Sequence, residues 1–147
     1  MNTQLDLALI DTLDKTSYQE NLHVFVMGCG SLFDEGIMHR LTLNSRLQVT
    51  SRKYIDDATF LKDMRLVIPD VVLLSEYNPL DFRHIIDLLP SVSSSVDLRV
   101  IVVRLYNNVI DVYDKSANQI AGQTTFRCYS IVASTWDDLF NLVSRKS

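Results

Sequence analysis

Pro69-Asp70-Val71-Val72-Leu73-Leu74-Ser75, with Pro79 four residues further on, is the stretch from which the fold is read. Val71 to Leu74 are apolar without polar alternation, the pattern of a parallel strand buried on both faces. Pro69 disfavours helical geometry at Ile68 and so marks where the strand can begin. Ser75 and the later proline end the run in a short polar loop. A strand buried on both faces needs a neighbour on each side and a helix above and below.

The flanking sequence supplies them. His23-Val24-Phe25-Val26-Met27 is another continuous apolar run, ending in Gly28-Cys29-Gly30. A helix is predicted from about Leu32 to Thr42, with Phe33, Ile37 and Leu41 on one face. Leu47–Ser51 reads as a less apolar strand, nearer an edge, and Asp56-Asp57 can cap a helix carrying Phe60, Leu61, Met64 and Val67. Asp81 to Leu89 is a third helix ended by Pro90, followed by a serine-rich surface loop. Val100–Val103 is a fourth buried strand and Tyr129–Val132 a fifth. Ser134-Thr135-Trp136-Asp137-Asp138 then opens a last helix that turns Leu139, Leu142 and Val143 inward. Strands alternating with helices at this spacing predict a parallel sheet with helices on both faces.

Two segments fall outside that alternation. Residues 4–14 place Leu5, Leu9, Ile10 and Leu13 at helical spacing, giving a helical extension over residues 1–21 that packs on its own domain or on a second copy. Residues 105–127 contain the β-branched and aromatic run Val109-Ile110-Asp111-Val112-Tyr113, turn chemistry at Lys115-Ser116-Ala117-Asn118, and a return over Gln119–Phe126. This predicts a β-hairpin at about 106–126. A helix is the alternative, because 109, 113, 117, 120 and 121 also share a helical face.

The 147 residues suit one domain, residues 22–147, behind that extension, with no repeat or linker inside it. A hydrophobic content of 47% with 22% charged residues describes a chain that folds around a core. The net charge of −4 argues against nucleic-acid phosphate as the main partner, which would need clustered lysine and arginine. No apolar run approaches the roughly 20 residues that span a bilayer. The N-terminus lacks the basic start and apolar stretch of a signal peptide, so no membrane association and a cytoplasmic location are expected. Cys29 and Cys128 are expected as reduced thiols. His23, His39 and His84 form no sequence cluster, so no metal or other cofactor is expected.

Three motifs carry a resemblance. Ser31-Leu32-Phe33-Asp34-Glu35-Gly36 resembles the opening of the first helix in receiver domains of bacterial two-component response regulators with helix-turn-helix outputs, where Pro-Leu-Phe-Arg-Glu-Gly is typical. Pro69 to Leu74 is similar to the strand that leads to their phosphorylation site. Tyr129 to Leu139 has the length and shape of their last strand and helix start, usually Tyr-Leu-Leu-Lys-Asp-Ala-Ser-Pro-Glu-Glu-Leu. The resemblance covers roughly residues 22–145, apart from 105–127. It implies a flavodoxin-like, doubly wound α/β domain of five parallel strands, with the hairpin replacing the fourth helix.

The same resemblance implies a lost reaction. Receivers need an aspartate acceptor, two acids holding Mg²⁺, a hydroxyl behind the phosphoryl group and a lysine contacting it. Those positions fall on Ser75, on Gly28 and Cys29, on Arg104 and on Val132. A serine with no paired acids has no metal to offset charge during transfer, so a non-enzymatic module is expected. Gly28-Cys29-Gly30 lacks the third glycine of a dinucleotide loop, Phe33 standing there instead.

One ligand reading stays open beside it: Gly28, Gly30, Ser75 and Arg104 at the strand ends could cradle an anion or a nucleotide. Alternatively Arg104 fills the old cavity and pairs with Glu76 or Asp81. The functional expectation is a non-phosphorylatable, receiver-like signalling module acting through protein–protein contact, as a homodimer or with another protein partner. Its expected interface comprises Ile110, Val112, Tyr113, Ile120, Trp136 and Phe140, although Trp136 could equally cap its own core. The chain runs only a few residues past the last helix, so any output is expected through another polypeptide.

Overall fold

The computed structural model describes residues 21–28, 31–76, 81–91, 98–104, 107–115 and 126–144. Among these residues six strands lie in one sheet: β1 (Leu22–Gly28), β2 (Leu47–Lys53), β3 (Val71–Glu76), β4 (Arg99–Arg104), β5 (Val109–Lys115) and β6 (Phe126–Val132). Among the described residues four α-helices accompany them: α1 (Leu32–Thr42), α2 (Asp57–Val67), α3 (Phe82–Leu88) and α4 (Trp136–Ser144). The strand order is β2-β1-β3-β4-β5-β6. The first four are mutually parallel, while β5 runs antiparallel to both of its neighbours. The fold is therefore α/β with a mixed sheet.

Alternating side chains split the core into two layers. Val24, Val26, Leu73, Ile101, Val103, Ile110 and Val112 meet Ile37 and Leu41 of α1 and Leu139 and Val143 of α4. On the other face Phe25, Met27, Leu74, Val100 and Val102 meet Phe60 and Met64 of α2 and Phe82 and Ile85 of α3. The central strands are buried on both faces, which is why they read as unbroken apolar runs. Asp70 clips β3 to β1: its carboxylate accepts the His23 N–H at 2.9 Å, and its own N–H donates to the His23 carbonyl.

Local signals behave as their chemistry requires. Asp56 accepts the Thr59 N–H at 2.7 Å and caps α2. That helix stops at Ile68, which Pro69 disfavours in the helical region and which takes the left-handed C-cap conformation at φ 50°.

The expected five parallel strands side by side are not what forms. Only residues 105–108 join β4 to β5, too few for the crossover that a parallel neighbour needs, so the chain turns back antiparallel. The predicted strand at 109–113 is thus part of the main sheet, beside β4. Its partner on the other side is β6, which contains the predicted fifth strand. Residues 116–125, including Ile120, and the helix expected at residues 4–14 lie outside the described residues.

A β-branched residue at φ 50° carries a penalty of about 1 kcal/mol, and Ile68 is 54% exposed, so little packing offsets it. Ile68→Gly is expected to raise the unfolding free energy by about 0.5–1 kcal/mol, read from the urea midpoint at unchanged m-value.

Candidate functional site

The carboxyl ends of β1, β3 and β4 lie together on the side of the sheet where open α/β folds bind ligands. Ser75 is 1% exposed, at the end of β3. Its hydroxyl donates to the Asp34 carboxylate at 2.6 Å. Asp34 lies in the first turn of α1 and is itself 5% exposed.

A capping box brings that carboxylate in: the Asp34 N–H donates to Ser31 Oγ at 3.2 Å, and Asp34 Oδ2 accepts the Ser31 N–H at 3.3 Å. Gly28 makes room for it. A Cβ there would stand 2.4 Å from Asp34 Oδ2, so only glycine lets the acid approach the end of β1. Gly28, Asp34 and Ser75 form one closed contact, with the acid held at the N-terminus of α1 that a phosphate would otherwise favour.

Arg104 ends β4 but does not join them. Ser75 pairs in register with Val103, so strand alternation directs Arg104 to the opposite face of the sheet. There its guanidinium lies 5.6 Å from the Phe82 ring centre. Its Nε donates to Asp111 Oδ2 at 2.9 Å, and Ser130 Oγ donates to Asp111 Oδ1 at 2.5 Å. Asp111 of β5 is thus an acid that meets Arg104; the side chain of Glu76 lies outside the described residues, as do Cys29 and Gly30.

Val132 is 73% exposed, and β4 and β5 both stand between its strand and β3. At the usual strand spacing that is roughly 14 Å from Ser75. The residues expected around one pocket thus divide: Gly28 and Ser75 meet, Arg104 faces away, and Val132 is remote. A third carboxylate repeats the theme, Asp138 accepting the N–H groups of Ser134 and Thr135 at 2.7 and 3.1 Å where α4 begins.

The expected interface is also rearranged. Ile110 and Val112 are 2% and 0% exposed and belong to the core beneath α4, because antiparallel pairing with β4 places them on its inner face. Trp136 is engaged within its own chain, stacked on Phe33 and Phe140 with ring centres 5.6 and 6.0 Å away and Arg40 over its ring. A cleft of ≈ 270 Å³ opens beside Phe33, Ile110, Trp136 and Leu139. Tyr113 is half-buried, and burial first, then its hydrogen bond with Cys128, pushes its hydroxyl up to about 12.

Another titratable group, not anticipated from the sequence, joins the loop after β2 to α2 and α3 at the surface. Tyr54 donates its hydroxyl to Asp57, whose Oδ2 also lies 2.8 Å from His84 Nε2 on α3. The hydrogen bond to Asp57 is the main cause that pushes Tyr54 up to about 12. Among the described residues no group of three or more histidine, cysteine or acidic side chains could hold a metal ion, and no helix is long and apolar enough to cross a membrane. The chain matches no protein-family model, no curated protein and no solved structure.

Gly28→Ala drives a methyl group into the Asp34 carboxylate and is expected to cost about 1–3 kcal/mol, as for other overpacked sites. In an Asp34→Ala background most of that cost should vanish, giving a coupling that a double-mutant cycle by urea denaturation measures directly. Separately, Tyr54 and Tyr113 hold their protons above the ordinary tyrosine value, so the stabilisation they give is complete below about pH 10 and is lost as pH rises towards 12. An ultraviolet titration of tyrosinate should contain a late component that shrinks in Tyr54→Phe and again in Tyr113→Phe.

Proposed function

We propose that this chain is a receiver-like signalling module that has given up phosphorylation and works by protein–protein contact, as a homodimer. The observation that carries the reading is the 2.6 Å hydrogen bond from Ser75 to buried Asp34. Where the resemblance places a phosphate acceptor there is a hydroxyl already committed to a carboxylate. A phosphoryl group arriving there would bring up to two further negative charges against Asp34 in a desolvated site. Asp34 also stands where the resembling motif typically has arginine, so a cation has been exchanged for an anion at the helix start.

The order β2-β1-β3-β4, with helices on both faces, supports a doubly wound, flavodoxin-like ancestry for this half of the sheet. The anion or nucleotide reading finds less support. The charge of Arg104 is met by Asp111, Asp34 accepts the Ser31 N–H where α1 begins, and Asp138 accepts those of Ser134 and Thr135 where α4 begins.

The test is to incubate the protein with acetyl phosphate and Mg²⁺ and follow intact mass and the ¹⁵N–¹H spectrum. The expected result is unchanged mass and no shifts around Ser75. A stoichiometric phosphoryl adduct on Ser75, or on any other residue at these strand ends, would refute the reading.

A further inference from the structure

We propose that the outer edge of β6 pairs antiparallel with β6 of a second copy, joining two sheets into one across a two-fold axis. The inference rests on the interaction-module reading and names its surface. The Ala133 N–H donates to the Asn108 carbonyl at 2.8 Å, one step beyond the pair Val109 and Val132. Hydrogen-bonded pairs alternate in an antiparallel ladder, so β6 bonds to β5 through Arg127, Tyr129 and Ile131. The N–H and C=O groups of Phe126, Cys128, Ser130 and Val132 then point away from β5. Among the described residues no strand lies on that side.

The two edges of the sheet differ in how they are guarded. At the far side β2 ends in exposed Arg52 and Lys53, charges of the kind that discourage edge pairing. β6 has no proline, lysine or glycine, one arginine, and two exposed apolar side chains, Tyr129 at 39% and Val132 at 73%. A seven-residue edge of that composition is a template for another strand.

Self-pairing satisfies the geometry. Full overlap of residues 126–132 with their own copy sets Tyr129 on the axis against its mate, Cys128 against Ser130 of the partner subunit, and Phe126 against Val132 of the partner subunit. Every outward-pointing residue then faces another outward-pointing residue, as hydrogen-bonded pairs require. A slip of one residue would destroy that match. Arg127 falls opposite Ile131 of the partner subunit, so no like charges meet across the axis. Such an interface is isologous and closes at two copies.

The decisive experiment uses the full chain. Sedimentation velocity across micromolar concentrations should show a reversible monomer–dimer equilibrium. In a mixed sample of isotope-labelled and unlabelled protein, a filtered NOE should connect Arg127 Hα with Ile131 Hα of the partner subunit, a non-hydrogen-bonded pair whose α-protons are close. Tyr129→Cys in a Cys29→Ser, Cys128→Ser background should cross-link on mild oxidation. Cys128→Pro, which removes an outward N–H and leaves the β5 ladder intact, should weaken dimerisation at least tenfold. A monomer throughout, or a dimer lacking the Arg127–Ile131 NOE, overturns the proposal. Neither result touches the acetyl phosphate test, so this proposal and the loss of phosphorylation can fail separately.

Discussion

Two arginine–aspartate pairs between β4 and β5 hold the arrangement on which the rest depends. Arg99, directly opposite Asp114 in register, meets it with Nε at 2.6 Å and a second donor at 3.0 Å, and also donates to the Leu142 carbonyl of α4 at 2.9 Å. At the other end of β4, Arg104 meets Asp111. Arg99 and Asp111 are 5% and 4% exposed, so each charge needs its partner: a buried ion left alone costs several kcal/mol. A one-residue slip of β5 would place both aspartates on the wrong face of the sheet. The pairs therefore specify register more than they add net stability, because desolvation offsets much of their attraction.

With β5 fixed beside β4, the remaining features follow. Ile110 and Val112 become core residues under α4, in place of an interface. β6 is displaced by one strand and reaches the edge, which removes Val132 from the neighbourhood of Ser75. The space near Ser75 is filled from α1 by Asp34, and Gly28 supplies the clearance. Internal carboxylates thus sit on the Ser75 hydroxyl, on Arg104 and at helix starts, those of α1 and α4 among them. A site shaped for a phosphoryl dianion would present such donors to solvent, and this one presents them to its own acids.

The strands β1, β3 and β4 were legible because burial on both faces leaves a local trace, the unbroken apolar run. The Asp56 cap and the break at Pro69 were legible for the same reason, their physics lying within a few residues. The placement of β5 was not. Val109 to Tyr113 satisfies both a period of 2 and a period of 3.6, and which wins depends on a partner strand and on Arg99 and Arg104. Those two arginines bordering an apolar run, followed by Asp111 and Asp114, were the available signal for an antiparallel neighbour. Asp34 was missed because an acid in the first turn of a helix is ordinarily a solvated cap. Its burial could have been inferred from two small residues, Gly28 and Ser75, at adjoining strand ends, together with the Ser31-x-x-Asp34 spacing of a capping box.

The most direct measurement of the account is the set of interstrand Hα–Hα NOEs in the labelled protein. If β5 separates β4 from β6, cross-peaks should link Tyr113 with Cys128 and Asp111 with Ser130, the non-hydrogen-bonded pairs of that ladder. NOEs running directly between residues 99–104 and 126–132, with none to 109–115, would contradict it. They would return β6 to the side of β4, bring Val132 back towards Ser75, and remove the exposed edge.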